Sequence, residues 1–315
     1  MSTRDEVLGY LSETEDYISG EKLAQKTGKS RAAIWKAIKA LQKDGIKIDA
    51  VTNRGYKLEK DNDILSAGTI RANVDFDTEV LFYDSIDSTN TQAKRLINEG
   101  ETGNMLLVAK EQTAGRGRQG KSFYSPADTG IYLSFVTHPM DDSLQSAVTA
   151  TTAAAVAVCR ALEKLTDKKP KIKWVNDVYI DGKKICGILT EAVTDFETQT
   201  VTSVIIGIGV NITTQTFPDD VTNAGAISCN VNRAALAAEI ANQLNKINTG
   251  RYEDFISYYR SHSMIIGEKI NFIKNGEITP ATAVAIDSRG GLEVELADGS
   301  RTVLRSGEIS IRKRQ

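Results

Sequence analysis

The chain has 315 residues, 41% of them hydrophobic and 25% charged, with a formal net charge of −2. That is enough for two or three domains with a sizeable core, and it makes the molecule neither a polycation nor a polyanion. No run of eighteen apolar residues occurs and the N-terminus is charged from the start, so neither a membrane span nor a signal peptide is expected, and the expected compartment is the cytoplasm. The three cysteines, Cys159, Cys186 and Cys229, show no metal-ligand spacing and read as free, partly buried thiols. With only two histidines, no metal site and no His-based triad is expected.

Residues 1–63 form the first unit. Val7, Leu8, Leu11 and Ile18 give a first helix its apolar stripe. Ser19 caps a second helix, and Thr27-Gly28-Lys29 turns the chain into a third, capped by Ser30. Ile34, Ile38 and Leu41 face inward, Gly45 ends the helix, and Arg31, Trp35, Lys36 and Lys39 are left outward. A hairpin around Asn53-Arg54-Gly55 follows. This order predicts a winged helix-turn-helix. Between Lys22 and Lys60 there are eleven Lys/Arg against three Asp/Glu, which favours DNA over a protein-interaction role. Ser30, Arg31, Trp35, Lys36 and Lys39 would meet the major groove, and Arg54 would be the wing contact.

The polar stretch "LEKDNDILSAGTI" reads as a linker into residues 64–263. There, apolar strands such as "VLFYD", "MLLVAKE", "GIYLSFVTH" and "TSVIIGIGVNIT" mix with helices. Several strands follow one another directly, which predicts an α+β unit with a mixed sheet and flanking helices rather than a doubly wound parallel sheet. Residues 264–315 alternate around Gly290-Gly291 and Asp298-Gly299, which predicts a small SH3-like β-barrel.

Chemistry concentrates in the central unit. "SIDSTNTQAK" places Ser88, Thr89 and Asn90 where a strand opens into a helix. "EQTAGRGRQG" lets backbone approach an anion at Gly115 and Gly117, with Arg116 and Arg118 as forked donors and Gln112 as a neutral one. It lacks the Gly-Lys-Ser/Thr ending of a P-loop and the glycine spacing of a dinucleotide fingerprint. It is expected to be mobile when empty. In "KIKWVND", alternation along one strand would put Lys173 and Asp177 on one face beside Asn176. "DGKKICGILTE" brings Lys184 to a strand start, with Gly187 permitting close approach. In "GIGVN", Gly207 and Gly209 alternate on one face of an apolar strand, so something packs against them. Taken singly, these patterns also fit a helix cap, a bare loop and a surface ion pair.

Together and in this order, "SGEKLAQKTGKSRAAIWKAIKAL", "DSTN", "EQTAGRGRQG", "KWVND", "KICGILTE", "GIGVN" and "SGEISIR" resemble the bifunctional biotin protein ligase/biotin operon repressor family. The resemblance implies a class II synthetase-like catalytic domain that joins biotin to ATP, with Mg²⁺, giving biotinyl-5'-AMP. It then implies transfer to one lysine of the biotin carboxyl carrier domain of acetyl-CoA carboxylase or pyruvate carboxylase. It also implies an adenylate-bound homodimer that binds the operator of the biotin genes. By position, Ser88, Thr89, Asn90 and Gln112 would contact the ureido ring. Arg116, Gly117 and Arg118 would close over carboxylate and phosphate, and Lys184 would hold both. Gly187, Leu189, Gly207 and Asn211 would line the pocket. Lys173 and Asn176 would serve the nucleotide, Asp177 would face the acceptor lysine, and Arg312 would reach the phosphates.

The chain departs from the family pattern at Gln119, Lys121, Ser122 and Phe123, where more arginine and a tryptophan are usual. Phe123 would offer adenine a smaller stacking face. Val175 replaces a proline, which should loosen that turn. Two other classes remain open on sequence: a lipoate ligase-like enzyme, and a ligand-sensing transcription regulator with weak or lost ligase activity.

Overall fold

The computed structural model describes residues 2–43, 46–59, 63–138, 145–195, 197–198, 200–249, 252–274, 277–305 and 308–311. The N-terminal part is three helices and a hairpin. Helix α1 (Thr3–Ser12) starts in a capping box between Ser2 and Asp5. Helix α2 (Gly20–Thr27) has Ser19 accepting from Lys22 N at 3.1 Å, and in α3 (Arg31–Lys43) Ser30 accepts from Ala33 N at 3.2 Å. Strands β1 (Ile48–Val51) and β2 (Gly55–Leu58) pair antiparallel as the wing. Val7, Leu8, Leu11, Leu23, Ile34, Ile38 and Leu41 form their shared core. Ile18, expected on the first helical stripe, lies beyond α1 and bridges to Tyr56 of the wing instead. Gly45 lies outside the described residues.

The stretch that reads as a linker contains a helix, α4 (Ala67–Arg71), opened by a Ser66–Thr69 capping box. It packs on α1 with backbones nearly touching: a Cβ added to Gly68 would lie 3.0 Å from Gly9 Cα. Asp63, at the end of the N-terminal unit, accepts from Arg233 N and from Arg233 Nε, each at 2.7 Å. The N-terminal part is therefore tied to the rest by packing and by charge.

The central sheet has seven strands in the order β3 (Glu79–Tyr83), β4 (Met105–Ala109), β5 (Gly130–Thr137), β9 (Val201–Asn211), β8 (Lys183–Thr194), β7 (Asp177–Ile180), β6 (Lys171–Lys173). Only β3 and β4 run parallel among these pairs. Strand alternation sorts the side chains between two faces. Leu106 and Val108, Leu133 and Phe135, and Ile206 and Ile208 join the main core, whose helical residues come from α4, α6 (Gln145–Leu165), α7 (Arg233–Thr249) and α8 (Tyr252–His262). Met105, Leu107, Val136 and Ile205 pack with Ala93 of α5 (Thr89–Asn98) on the other face.

The C-terminal part is a five-stranded antiparallel sheet in the order β13 (Arg301–Leu304), β12 (Leu292–Leu296), β11 (Glu277–Ile286), β10 (Lys269–Lys274), β14 (Glu308–Ile311). Among the described residues no helix is long and apolar enough to cross a membrane.

Candidate functional site

A cavity of about 320 Å³ opens on the α5 face of the sheet, at its centre. Its floor is built by register. Ser134, Gly207 and Leu189 align across β5, β9 and β8, and Tyr132, Gly209 and Gly187 align one pair further along. The glycines make a trough. A Cβ on Gly207 would collide with the Asn90 side chain, and one on Gly209 with the Phe123 ring. The alternation that marked these glycines in the sequence thus reports two groups pressed on bare backbone.

One end of the trough presents neutral, mutually hydrogen-bonded groups. Ser88 caps α5, and Thr89 and Asn90 of its first turn are buried. Ser134 Oγ lies 2.7 Å from Thr89 Oγ1 and 2.6 Å from Asn90 Oδ1. Gln112 Oε1 accepts from Thr89 N at 2.9 Å, while its Nε2 donates to Ser125 Oγ at 3.0 Å. Ser134 carried no signal in the sequence, because a lone serine in an apolar strand looks incidental.

The other end is charged. Lys184 Nζ lies 2.7 Å from Asp177 Oδ1, and Arg118 Nη1 donates to Asn176 Oδ1 at 3.0 Å. Lys173 and Asp177 do not alternate along one strand as expected. "KWVND" is a hairpin turn, and the two residues are register partners across it, on β6 and β7. Their proximity survives because cross-strand partners share a face. The turn includes a cis peptide between Trp174 and Val175. Two bonds from outside the turn reach it: Tyr259 Oη donates to Val175 O at 3.2 Å, and Trp174 Nε1 to Gly290 O at 2.9 Å. The second bond, with Ile309 in the cavity wall, ties the C-terminal sheet to the site. Arg312 lies outside the described residues.

The loop 111–123 crosses between the ends. It is closed by two backbone hydrogen bonds, Gly117 N to Lys121 O at 2.7 Å and Phe123 N to Gly115 O at 2.9 Å. Arg116 and Arg118 diverge. Arg116 Nη1 pairs with Glu191 at 3.2 Å, beside Asn90 and not beside Lys184. Phe123, expected to offer a face to adenine, rests on the Gly187–Gly209 backbone with its edge toward Tyr132, ring centroids 6.4 Å apart.

Lining the cavity are five Lys/Arg (Arg116, Arg118, Lys121, Lys173, Lys184) and one acid, Asp177. With Arg116 spent at the Asn90 end, Arg118, Lys173 and Lys184 against the single Asp177 still favour an anionic ligand at the charged end. Burial pushes the Tyr179 phenol up to about 12, so it stays a neutral donor there at neutral pH. Burial also pushes the Cys186 thiol far up, which leaves it inert as a nucleophile. Among the described residues, every sequence-derived ligand residue except Asn211 lines this cavity. Asn211 stands one step behind: its Nδ2 donates to Gly225 O at 3.1 Å, and Gly225 N donates to Lys184 O at 2.9 Å. Thr222 and Asn223 also line the cavity, and an irregular segment gave no pattern to find them by.

On the N-terminal part, Ser30, Arg31, Lys36 and Lys39 are exposed on one helix, and Trp35 is 53% exposed. Arg54 stacks on Tyr17 with its guanidinium carbon 4.4 Å from the ring centroid, so the wing cation is held in place. A groove lined by Arg31, Trp35, Thr52 and Asn53 runs between helix and wing.

Residues 82–211 match the Biotin/lipoate A/B protein ligase family, residues 3–57 an HTH domain, and residues 265–312 the Biotin protein ligase C terminal domain. The bifunctional ligase/repressor BirA of Bacillus subtilis is 33% identical over 306 residues, 91% of this chain and 92% of that one. Its Escherichia coli counterpart is 29% identical, covering 94% of each. The biotin protein ligase of Aquifex aeolicus, solved in complex with biotin and ATP, superposes with a TM-score of 0.62 at 25% identity, over 75% of this chain and 99% of its own. With a match that spans helix-turn-helix, central sheet and C-terminal sheet, the chain belongs to the bifunctional ligase/repressor BirA family.

Proposed function

We propose that the cavity performs the biotin protein ligase reaction in two steps. The observation that carries this reading is the two-ended trough. A cyclic urea needs donors and acceptors without charge, which Thr89, Asn90 and Gln112 supply, with Ser134 buried behind them and bonded to the first two. A carboxylate meeting a triphosphate needs cations, which Arg118, Lys173 and Lys184 supply at the other end. In the first step the carboxylate oxygen attacks the α-phosphorus and pyrophosphate leaves. That step needs alignment and charge neutralisation more than proton transfer. In the second, a carrier lysine attacks the acyl carbon, AMP leaves, and Asp177 faces the incoming amine. Among the described residues no acidic or histidine cluster could hold a metal, so Mg²⁺ would enter with the ATP phosphates.

Within this reading the C-terminal sheet is an SH3-like barrel and the central sheet follows the class II synthetase plan. The adenylate-bound chain pairs with a second copy, and two α3 helices read the half-sites of a biotin operator. The work is cytoplasmic. Transfer of labelled biotin from ATP and biotin to a carrier domain, run beside labelled lipoate, tests the reaction. Transfer of lipoate alone, or of neither, overturns it.

Gly207→Ala should raise the biotin Kd about tenfold or more. Asn90 is fixed by its hydrogen bonds and cannot give way to the new methyl, and overpacking of this kind costs about 1–3 kcal/mol. Calorimetric titration with biotin reads this directly, and an unchanged Kd would show that Asn90 does not bound the ligand.

A further inference from the structure

Glu191 has no part in the reaction as described, yet it is among the most heavily engaged side chains near the cavity. It follows Leu189 on the same face of β8, and its side chain is 16% exposed. Three side chains converge on it. Lys94 Nζ of α5 lies 2.7 Å from Oε1. Asn90 Nδ2 donates to Oε2 at 2.9 Å. Arg116 Nη1 lies 3.2 Å from Oε1 and 3.3 Å from Oε2. Burial works to raise the Glu191 pKa, but hydrogen bonds from Lys94 and Asn90 outweigh it and hold the carboxyl below its ordinary value, so it is an anion at neutral pH.

An anion beside a cavity suited to anions opposes binding unless it places the groups that bind. Two such placements are visible. Asn90 also donates to Leu189 O at 3.2 Å, so both its amide hydrogens are used and Oδ1 is turned to Ser134. Flipping the amide would set an oxygen against the carboxylate. Arg116, in turn, is tethered to β8, while Arg118, two residues on, bonds Asn176. Glu191 and Gly187, the register partner of Asp177, are four residues apart on β8, about 13 Å in an extended strand. The loop is thereby fastened at both ends of the trough.

We propose that Glu191 is a positioning residue that latches the Arg116 end of the loop over the cavity and sets the orientation of the Asn90 amide. The role rests on the ligase reading, and what it governs is retention of the activated ligand. Glu191→Gln keeps an acceptor for Asn90 and removes the charge that holds Arg116. Release of labelled biotinyl-5'-AMP from E191Q should be about tenfold faster and KM for biotin about tenfold higher, the loss of one charge-assisted contact. The kcat of pyrophosphate release at saturating biotin should stay within about twofold, because only ground-state holding is removed. R116A should release as fast as E191Q, and the double variant no faster than either, since both break one contact. Lys94→Met, which cuts the arm that does not reach the loop, should leave release within about twofold of wild type.

Unchanged release and KM in E191Q, multiplicative losses in the double variant, or a lowered Tm with normal KM and release would each overturn the latch. Wild-type chain that forms no adenylate would overturn the ligase reading itself, and this role with it.

Discussion

Lys184→Ala should lower the rate of pyrophosphate release by about 10²–10³, the usual cost of removing one preorganised charge from a developing transition state. The loss is twofold in origin. Lys184 is a cation at the phosphate end, and it is also the partner of Asp177 at 2.7 Å. Without it the site loses an attraction and gains an unpaired carboxylate facing an incoming polyphosphate. Biotin alone should bind K184A only about tenfold more weakly, because its carboxylate loses one cation while the neutral end of the trough is untouched, and the gap between that loss and the loss in rate separates a charge effect from misfolding. Lys184→Arg restores the charge but not the compact point donor, so partial recovery is expected. Wild-type pyrophosphate release by K184A would remove Lys184 from the chemistry.

Replacing Arg31, Lys36 and Lys39 together by alanine should weaken operator binding by on the order of a hundredfold at physiological salt. It should also lower the slope of log K against log salt by about one per residue. The three lie on the exposed face of α3, opposite Ile34, Ile38 and Leu41, so their removal costs little stability. None lines the catalytic cavity, and biotin transfer should proceed at the wild-type rate. Fluorescence anisotropy with an operator duplex across a salt series measures both quantities. Full affinity with an unchanged slope would mean that the basic face is solvent-facing only.

What the sequence disclosed followed physical regularity. Apolar runs such as "MLLVAKE" marked strands, and the structure sorts Met105 and Leu107 from Leu106 and Val108 onto opposite faces. Glycines where a strand should carry bulk revealed the trough. Helix α4 was missed because five residues are too few for periodicity; its one signal was the Ser66–Thr69 spacing of a capping box. The "KWVND" hairpin was taken for a strand because turn residues there are Trp and Val rather than Gly or Pro. The divergence of Arg116 and Arg118 depends on Glu191 and Asn176, partners distant in sequence. Asn211 fell in the right motif, but its amide is spent on the segment behind Lys184.

Asp63 has a practical bearing on any attempt to isolate the enzyme half. Hydropathy suggests cutting just after it, yet its carboxylate takes up the first amide of α7 and faces Arg233, whose side chain is only 11% exposed. Arg233 Nη1 makes no hydrogen bond and its other acid, Asp128, stands 3.6 Å away. A fragment beginning at Ile64 would strand a buried guanidinium and a helix-end amide, at a cost on the order of 2 kcal/mol. Beginning at Asp63 retains them. A biotinylation reagent trimmed from this chain should therefore melt measurably lower when cut one residue late, an outcome set by a carboxylate that belongs by position to one half and by contact to the other.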